Sequence, residues 1–193
     1  MQTVSVFCGS SFGTNEEYRS AATVLGTEIA SRGMTLVYGG GHVGLMGAIA
    51  DAALAAGGQV IGVIPADIAE HEVQHDTLTE LHVVDSMHER KMRMAKMSDG
   101  MIAMPGGLGT LEEMFEVWTW AQLGFHAKPC AMLNVAGYYD GLLAFLDRSV
   151  SEGFVKQVHR DMLYTGTEPA AMLDWMNQYQ PEPDSLWRDL DRS

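Results

Sequence analysis

The chain has 193 residues, 47% of them apolar, and a formal net charge of −13 at neutral pH. That length suits one domain with a full core, no apolar run is long enough to cross a bilayer, and the acidity argues against a nucleic-acid or membrane surface. Met1-Gln2-Thr3-Val4 shows no basic leader ahead of an apolar stretch, and Cys8 and Cys130, both in apolar runs, read as buried thiols of a reducing cytoplasm rather than as a disulfide.

Strand and helix patterns alternate from the start. Residues 4–8 read as a buried strand and Gly9-Ser10-Ser11 as the turn after it. A helix over 16–32 carries Tyr18, Ala22, Leu25 and Ile29 on one stripe and stops at Gly33. A strand over 34–38 runs into Gly39-Gly40-Gly41-His42-Val43-Gly44, and a helix follows to about residue 56. Residues 59–64 form a third strand, 66–79 a loop or short helix, and 81–84 a fourth strand. A helix over 86–97 opens on Ser86 and Glu89, spaced as a capping box. Residues 101–104 are a strand leading into Pro105-Gly106-Gly107-Leu108-Gly109-Thr110-Leu111-Glu112-Glu113 and a helix that ends near Gly124. Then come a strand over 130–134, a helix over 138–152, an edge strand over 162–164 and a helix over 168–179. Residues 1–180 read as a single domain, and 181–193, with Pro181 and Pro183, as a loosely ordered tail in which Trp187 is the residue able to dock.

Apolar, non-alternating strands separated by helices predict a doubly wound parallel sheet of about six to seven strands, with helices on both faces. Such sheets bind ligands beyond the carboxyl ends of their strands. Three glycine-rich turns fall there and should converge on one crevice, placing Gly9, Ser10, Gly40, Gly44 and Gly106 near a ligand. The unpaired first amides of a helix and the positive end of its dipole favour a phosphate, so the turn at 106–109 is the expected cradle.

Gly39 to Gly44 also fits G-x-G-x-x-G. The third strand nevertheless ends in Ile64-Pro65, with no acid for a ribose diol, which favours a mononucleotide over a dinucleotide. Neither glycine turn continues into Gly-Lys-Ser/Thr, which argues against a nucleotide-hydrolysing P-loop. His71-Glu72-Val73-Gln74-His75 has H-E-x-x-H spacing, but it lies in a short connection and reads as a polar surface turn, with a zinc hydrolase as the minor reading.

Arg90, Lys91, Arg93 and Lys96 gather four of the twelve Lys and Arg into seven residues. Glu89 and Arg93 have the i,i+4 spacing of a solvated ion pair. Arg90 differs, because it shares an inward stripe with Met87 and Met94. It must pair with a buried acid or face the crevice, where Glu113 or a phosphate would meet it. Glu113 itself has two readings: an active carboxylate, or the cap partner of Thr110 three residues before it. In the same helix Leu111, Met114, Phe115 and Trp118 form one apolar stripe and Val117, Trp120 and Leu123 a second. One should cover the sheet, and the other a partner subunit or the carboxyl-terminal helix.

Ser86-Met87-His88-Glu89-Arg90-Lys91, the run from Pro105 to Glu113, and Trp120-Ala121-Gln122-Leu123-Gly124 together resemble the LOG ("lonely guy") family, cytokinin riboside 5′-monophosphate phosphoribohydrolases long mislabelled as lysine decarboxylases. The resemblance extends over about residues 4–155. It implies a Rossmann-like fold, a homodimer, and no metal or redox cofactor. The family's catalytic arginine and glutamate fall on Arg90 and Glu113, and its phosphate contacts on Gly107, Gly109 and Thr110. Lys91, Glu112 and Thr119 match further substrate-contacting positions, and Met87 lies beside them. The implied reaction is hydrolysis of a nucleoside 5′-monophosphate to free base and ribose 5-phosphate, the base being adenine or an N6-prenylated adenine. The alternative is a non-catalytic nucleotide or molybdenum-cofactor carrier on the same scaffold.

Overall fold

In the computed structural model, which describes residues 1–69 and 74–181, the chain runs β1 (Thr3–Phe7), α1 (Glu16–Ser31), β2 (Thr35–Tyr38), α2 (Gly44–Ala55), β3 (Gln59–Pro65), α3 (Ala66–Ala69), β4 (Glu80–Val84), α4 (Met87–Met97) and β5 (Gly100–Ala103). It continues through α5 (Leu108–Gln122), β6 (Cys130–Leu133), a 3₁₀ turn (Val135–Gly137), α6 (Asp140–Ser151), α7 (Gln157–Asp161), β7 (Leu163–Gly166) and α8 (Pro169–Gln178). The expected tail and its Trp187 lie outside the described residues from 182 onward, as do His71 and Glu72.

The strands pair in the order β4-β3-β2-β1-β5-β6-β7, and every pairing is parallel. β1, β5 and β6 are buried almost throughout, which is why their sequences are apolar without alternation. The order reverses direction at β1, whose neighbours are β2 and β5. Chains leaving β1 and β5 therefore turn to opposite faces and leave a crevice between their carboxyl ends.

The two faces carry separate cores. Leu25 and Ile29 of α1, Ile49 of α2, and Leu173 and Met176 of α8 pack on one side. Met94 of α4, Met114 and Trp118 of α5, and Leu146 of α6 pack on the other. The carboxyl-terminal helix α8 thus lies across the sheet from α5 and does not cover it. The indole Nε1 of Trp118 instead donates to the His159 carbonyl of α7 at 3.0 Å.

The stripes on α5 also divide differently from expectation. Glu113, Met114, Val117, Trp118 and Ala121 are buried, whereas Leu111, Phe115, Trp120 and Leu123 are only half-buried. α5 begins at Leu108, with Gly107 as its N-cap. Thr110 therefore lies inside the first turn, and Glu113 is not its capping partner. The capping box at α4 does form: Ser86 Oγ accepts from the Glu89 amide at 3.2 Å, while Glu89 Oε2 accepts from the Asp85 amide at 3.0 Å. Among the described residues, no helix is long and apolar enough to cross a membrane.

Candidate active site

The loops after β1 and β5 are stitched together at the switch point. The Gly9 amide donates to the Pro105 carbonyl at 3.0 Å, and the Met104 amide to the Phe7 carbonyl at 2.9 Å. Above them lies a cavity of about 300 Å³. The β1 loop lines it with Cys8, Gly9 and Ser10, α4 with Met87 and Arg90, and the start of α5 with Gly107, Gly109, Thr110, Glu112 and Glu113. Nine residues expected near the ligand thus share one wall or another of a single hollow.

Gly107 has no side chain to cap α5, and helical bonding begins only where the Leu111 amide donates to the Gly107 carbonyl at 3.2 Å. The amides of Leu108, Gly109 and Thr110 have no acceptor within the helix and remain as donors for an anion. Gly106 supports this from below. A Cβ there would strike the Thr110 side chain and come within 2.9 Å of the Gly9 nitrogen. Two consecutive tyrosines brace the same loop. Tyr138 Oη donates to the Gly106 carbonyl at 2.5 Å and Tyr139 Oη to the Met104 carbonyl at 2.6 Å. Gly106 and Tyr138 also line a neighbouring hollow of about 210 Å³ that shares Gly9 and Gly107 with the first.

Arg90 and Glu113 meet across the cavity, with Arg90 Nη1 3.8 Å from Glu113 Oε1 and side chains only 13% and 9% exposed. Arg90 is both ion-paired and in the crevice, so its two expected placements coincide. Its Nε donates to the Val63 carbonyl at 3.1 Å, which fixes the guanidinium plane. Met87 Sδ accepts a longer contact from Nη1 at 3.7 Å. Burial pushes the Glu113 carboxyl above its ordinary range, against the opposing pull of the Arg90 charge. A carboxylate whose proton affinity is raised in this way is a stronger proton acceptor than an exposed one.

The turn after β2 does a different job. A Cβ on Gly39 would collide with the Arg90 guanidinium, so this glycine makes room for a side chain of the protein. Gly40 faces Ile64 and Leu81, and Gly44 packs against the backbone of Ser10 and Ser11. The Leu45 amide, in the first turn of α2, donates to the Gly9 carbonyl at 3.1 Å. The Leu45 amide is thus spent inside the protein, and neither Gly40 nor Gly44 lines the cavity.

The remaining expected residues separate as well. Lys91 is buried, and its Nζ contacts Glu112 Oε1 and lies 3.0 Å from Glu116 Oε2. Thr119 lies farther along α5, its hydroxyl donating to the Phe115 carbonyl at 2.6 Å. Arg93 forms the expected i,i+4 pair with Glu89 at 3.5 Å. His75 is not on a polar surface turn. It is 7% exposed, and its Nε2 lies 3.0 Å from Asp51 Oδ1 on α2. Sequence reading missed Cys8 and Met46 as cavity walls, and Tyr138 and Tyr139 as braces. Only the position of each after or opposite a glycine turn could have suggested it.

Fold and site together define a Rossmann-like protein with an open helix start at its switch point and a buried guanidinium–carboxylate pair beside it. The sequence pattern of the family described as "Possible lysine decarboxylase" matches residues 46–176. The chain is 51% identical over 178 residues to "Probable cytokinin riboside 5'-monophosphate phosphoribohydrolase LOGL9" of Oryza sativa subsp. japonica, covering 92% of this chain and 78% of that one. It is 47% identical over 183 residues to cytokinin riboside 5'-monophosphate phosphoribohydrolase LOG1 of Arabidopsis thaliana, covering 95% and 86%. The chain belongs to this LOG family. Among solved structures, the molybdenum cofactor carrier protein of Chlamydomonas reinhardtii superposes with a TM-score of 0.71 at 22% identity over 92% of this chain and 96% of that one. The counterpart from Rippkaea orientalis gives 0.70 at 24% identity over the same shares. These two likenesses concern the fold.

Proposed function

We propose that this chain is a phosphoribohydrolase that cleaves the N-glycosidic bond of a purine riboside 5′-monophosphate, releasing free base and ribose 5-phosphate. The observation that carries this reading is the convergence of Arg90 and Glu113, 3.8 Å apart, on a cavity floored by the start of α5. The relatives' activity supports the choice of reaction. Catalysis is assigned to one unit spanning 1–180.

In this reading the 5′-phosphate sits on the amides from Gly107 to Thr110, which turns the ribose toward the ion pair. The bond from C1′ to the base nitrogen breaks with its electron pair going to the base, and C1′ becomes oxocarbenium-like. Glu113 stabilises that cation and takes a proton from the water whose oxygen bonds to C1′. The departing base takes a proton from solvent, and Glu113 returns its own to solvent, while Arg90, which stays protonated, anchors the nucleotide and balances charge. Phosphate binding far from the reacting bond contributes to positioning it, so nucleosides should be poor substrates.

The test is incubation with AMP, isopentenyladenosine 5′-monophosphate and both nucleosides, followed by chromatography for free base. Base should come from the monophosphates and be lost in Glu113→Gln, which still binds nucleotide. Undiminished release by that variant refutes the assignment. Which monophosphate reacts faster decides between adenine and N6-prenyladenine.

A homodimer is supported by the outer face of α4 and α5. Exposed Met92 and Phe125 and half-buried Trp120 line a groove of about 400 Å³ there, more apolar than a solvated helix face needs. Sedimentation at monomer mass alone would remove that part of the reading. The free, buried thiols Cys8 and Cys130 support a reducing, cytoplasmic setting.

A further inference from the structure

Arg90 and Lys91 are neighbours on α4, and Glu113 and Glu112 are neighbours on α5. Successive helical residues point about 100° apart, so Lys91 is turned away from the cavity, although its partner Glu112 also lines it. Arg90 and Glu113 line the cavity. Lys91 does not line it, and its side chain is only 6% exposed.

A buried ammonium is costly unless paired and hydrogen-bonded. Lys91 meets that condition twice, at Glu112 and at Glu116. Burial works against its charge, but those two carboxylates outweigh it and hold its pKa above the ordinary lysine value. The benefit is mutual. Glu112 and Glu116 are four apart on one helix, a spacing at which like charges repel. Lys91 removes that repulsion while tying α4 to α5.

We propose that Lys91 is a positioning residue for the reaction inferred above: its ammonium, held between Glu112 and Glu116, sets the distance of α4 from α5 and thereby the Arg90–Glu113 gap, and does not touch the substrate phosphate. The inference rests on the phosphoribohydrolase reading. The gap it maintains is longer than a hydrogen bond at 3.8 Å, which leaves the Glu113 oxygens free for water and sugar.

A second consequence is electrostatic. Glu113 faces Arg90 and Lys91 from α4, Glu112 and Glu116 from its own helix, and the Cys8 thiol from β1. The two glutamates raise its proton affinity, and both cations lower it. Without Lys91, the negative charges of Glu112 and Glu116 act on Glu113 uncompensated. The pH above which Glu113 is ionised then rises.

The experiment compares the pH dependence of kcat/KM on AMP for the unaltered chain, Lys91→Met, Lys91→Arg and Glu116→Gln, alongside the Kd of ribose 5-phosphate. Lys91→Met should lower kcat at least tenfold, move the acidic limb to higher pH, and leave the Kd within about twofold. Lys91→Arg should restore most of the rate. Glu116→Gln, which keeps the Lys91–Glu112 pair and so the fold, should move the limb to lower pH. A tenfold weaker Kd in Lys91→Met with an unmoved limb shows that Lys91 grips the phosphate and overturns the proposal. An unmoved limb in Glu116→Gln overturns it even if Lys91→Met fails to fold. No base release by the unaltered chain overturns the reaction itself, and this proposal with it.

Discussion

Two glycine-rich turns follow parallel strands in this chain, and they serve opposite purposes. The turn at Gly106 to Gly109 opens its helix start toward the cavity. The turn at Gly39 to Gly44 closes its own, giving the Leu45 amide to the Gly9 carbonyl and packing Gly44 against the Ser10 backbone. Position in the sheet does not explain the difference, because β5 and β2 both stand beside β1. It lies in what each turn packs against: the second is filled by the Arg90 guanidinium and the Ser10 backbone. The second is used to let an arginine come close to the backbone. A run of glycines therefore marks a close approach, without saying what approaches.

Substitution can break this comparison. The largest effect is expected at Gly106→Ala, where the added methyl meets the Thr110 side chain and the Gly9 backbone, so the loop itself must move. kcat/KM should fall about 100-fold, the scale of an ångström's misplacement, and the affinity for ribose 5-phosphate should fall with it. Gly39→Ala should cost about tenfold in kcat/KM and leave ribose 5-phosphate binding intact, because its methyl meets the side chains of Arg90 and Met46 and displaces the guanidinium, not the backbone of the 106–109 turn. Equal loss of product binding in both variants would show that the two turns share one function.

The smallest effect concerns the carboxyl behind the cradle. Glu113 protonates more readily when folded than when unfolded. The unaltered chain should therefore lose stability as pH rises from the ordinary value of about 4.5 through the raised folded one. Glu113→Gln lacks that slope. Its melting temperature should gain on that of the unaltered chain as pH rises across this window. Parallel melting curves at all pH values would mean that the site carries no buried charge cost.

The strands were legible because a parallel sheet covered on both faces needs continuous apolar runs, as in β1, β5 and β6. Arg90 was legible because an arginine on a methionine stripe demands a partner, and Glu113 through the motif that the family resemblance rests on. The two glycine turns looked alike because what fills the second, Arg90 and the Ser10 backbone, comes from elsewhere in the chain. Lys91 read as part of a basic cluster because its burial arises only where α4 crosses α5. His75 read as a surface residue because nothing near it in sequence announces Asp51, which arrives from α2.

The paired tyrosines after β6 carry one more consequence. Oη groups of Tyr138 and Tyr139 hold the carbonyls of Gly106 and Met104, so the peptide planes 104–105 and 106–107 are tied down. The amides of the next turn are thus aimed before any ligand arrives. Little disorder remains to be quenched on association, and capture of the nucleotide should resemble insertion into a rigid mould more than the closing of a hand.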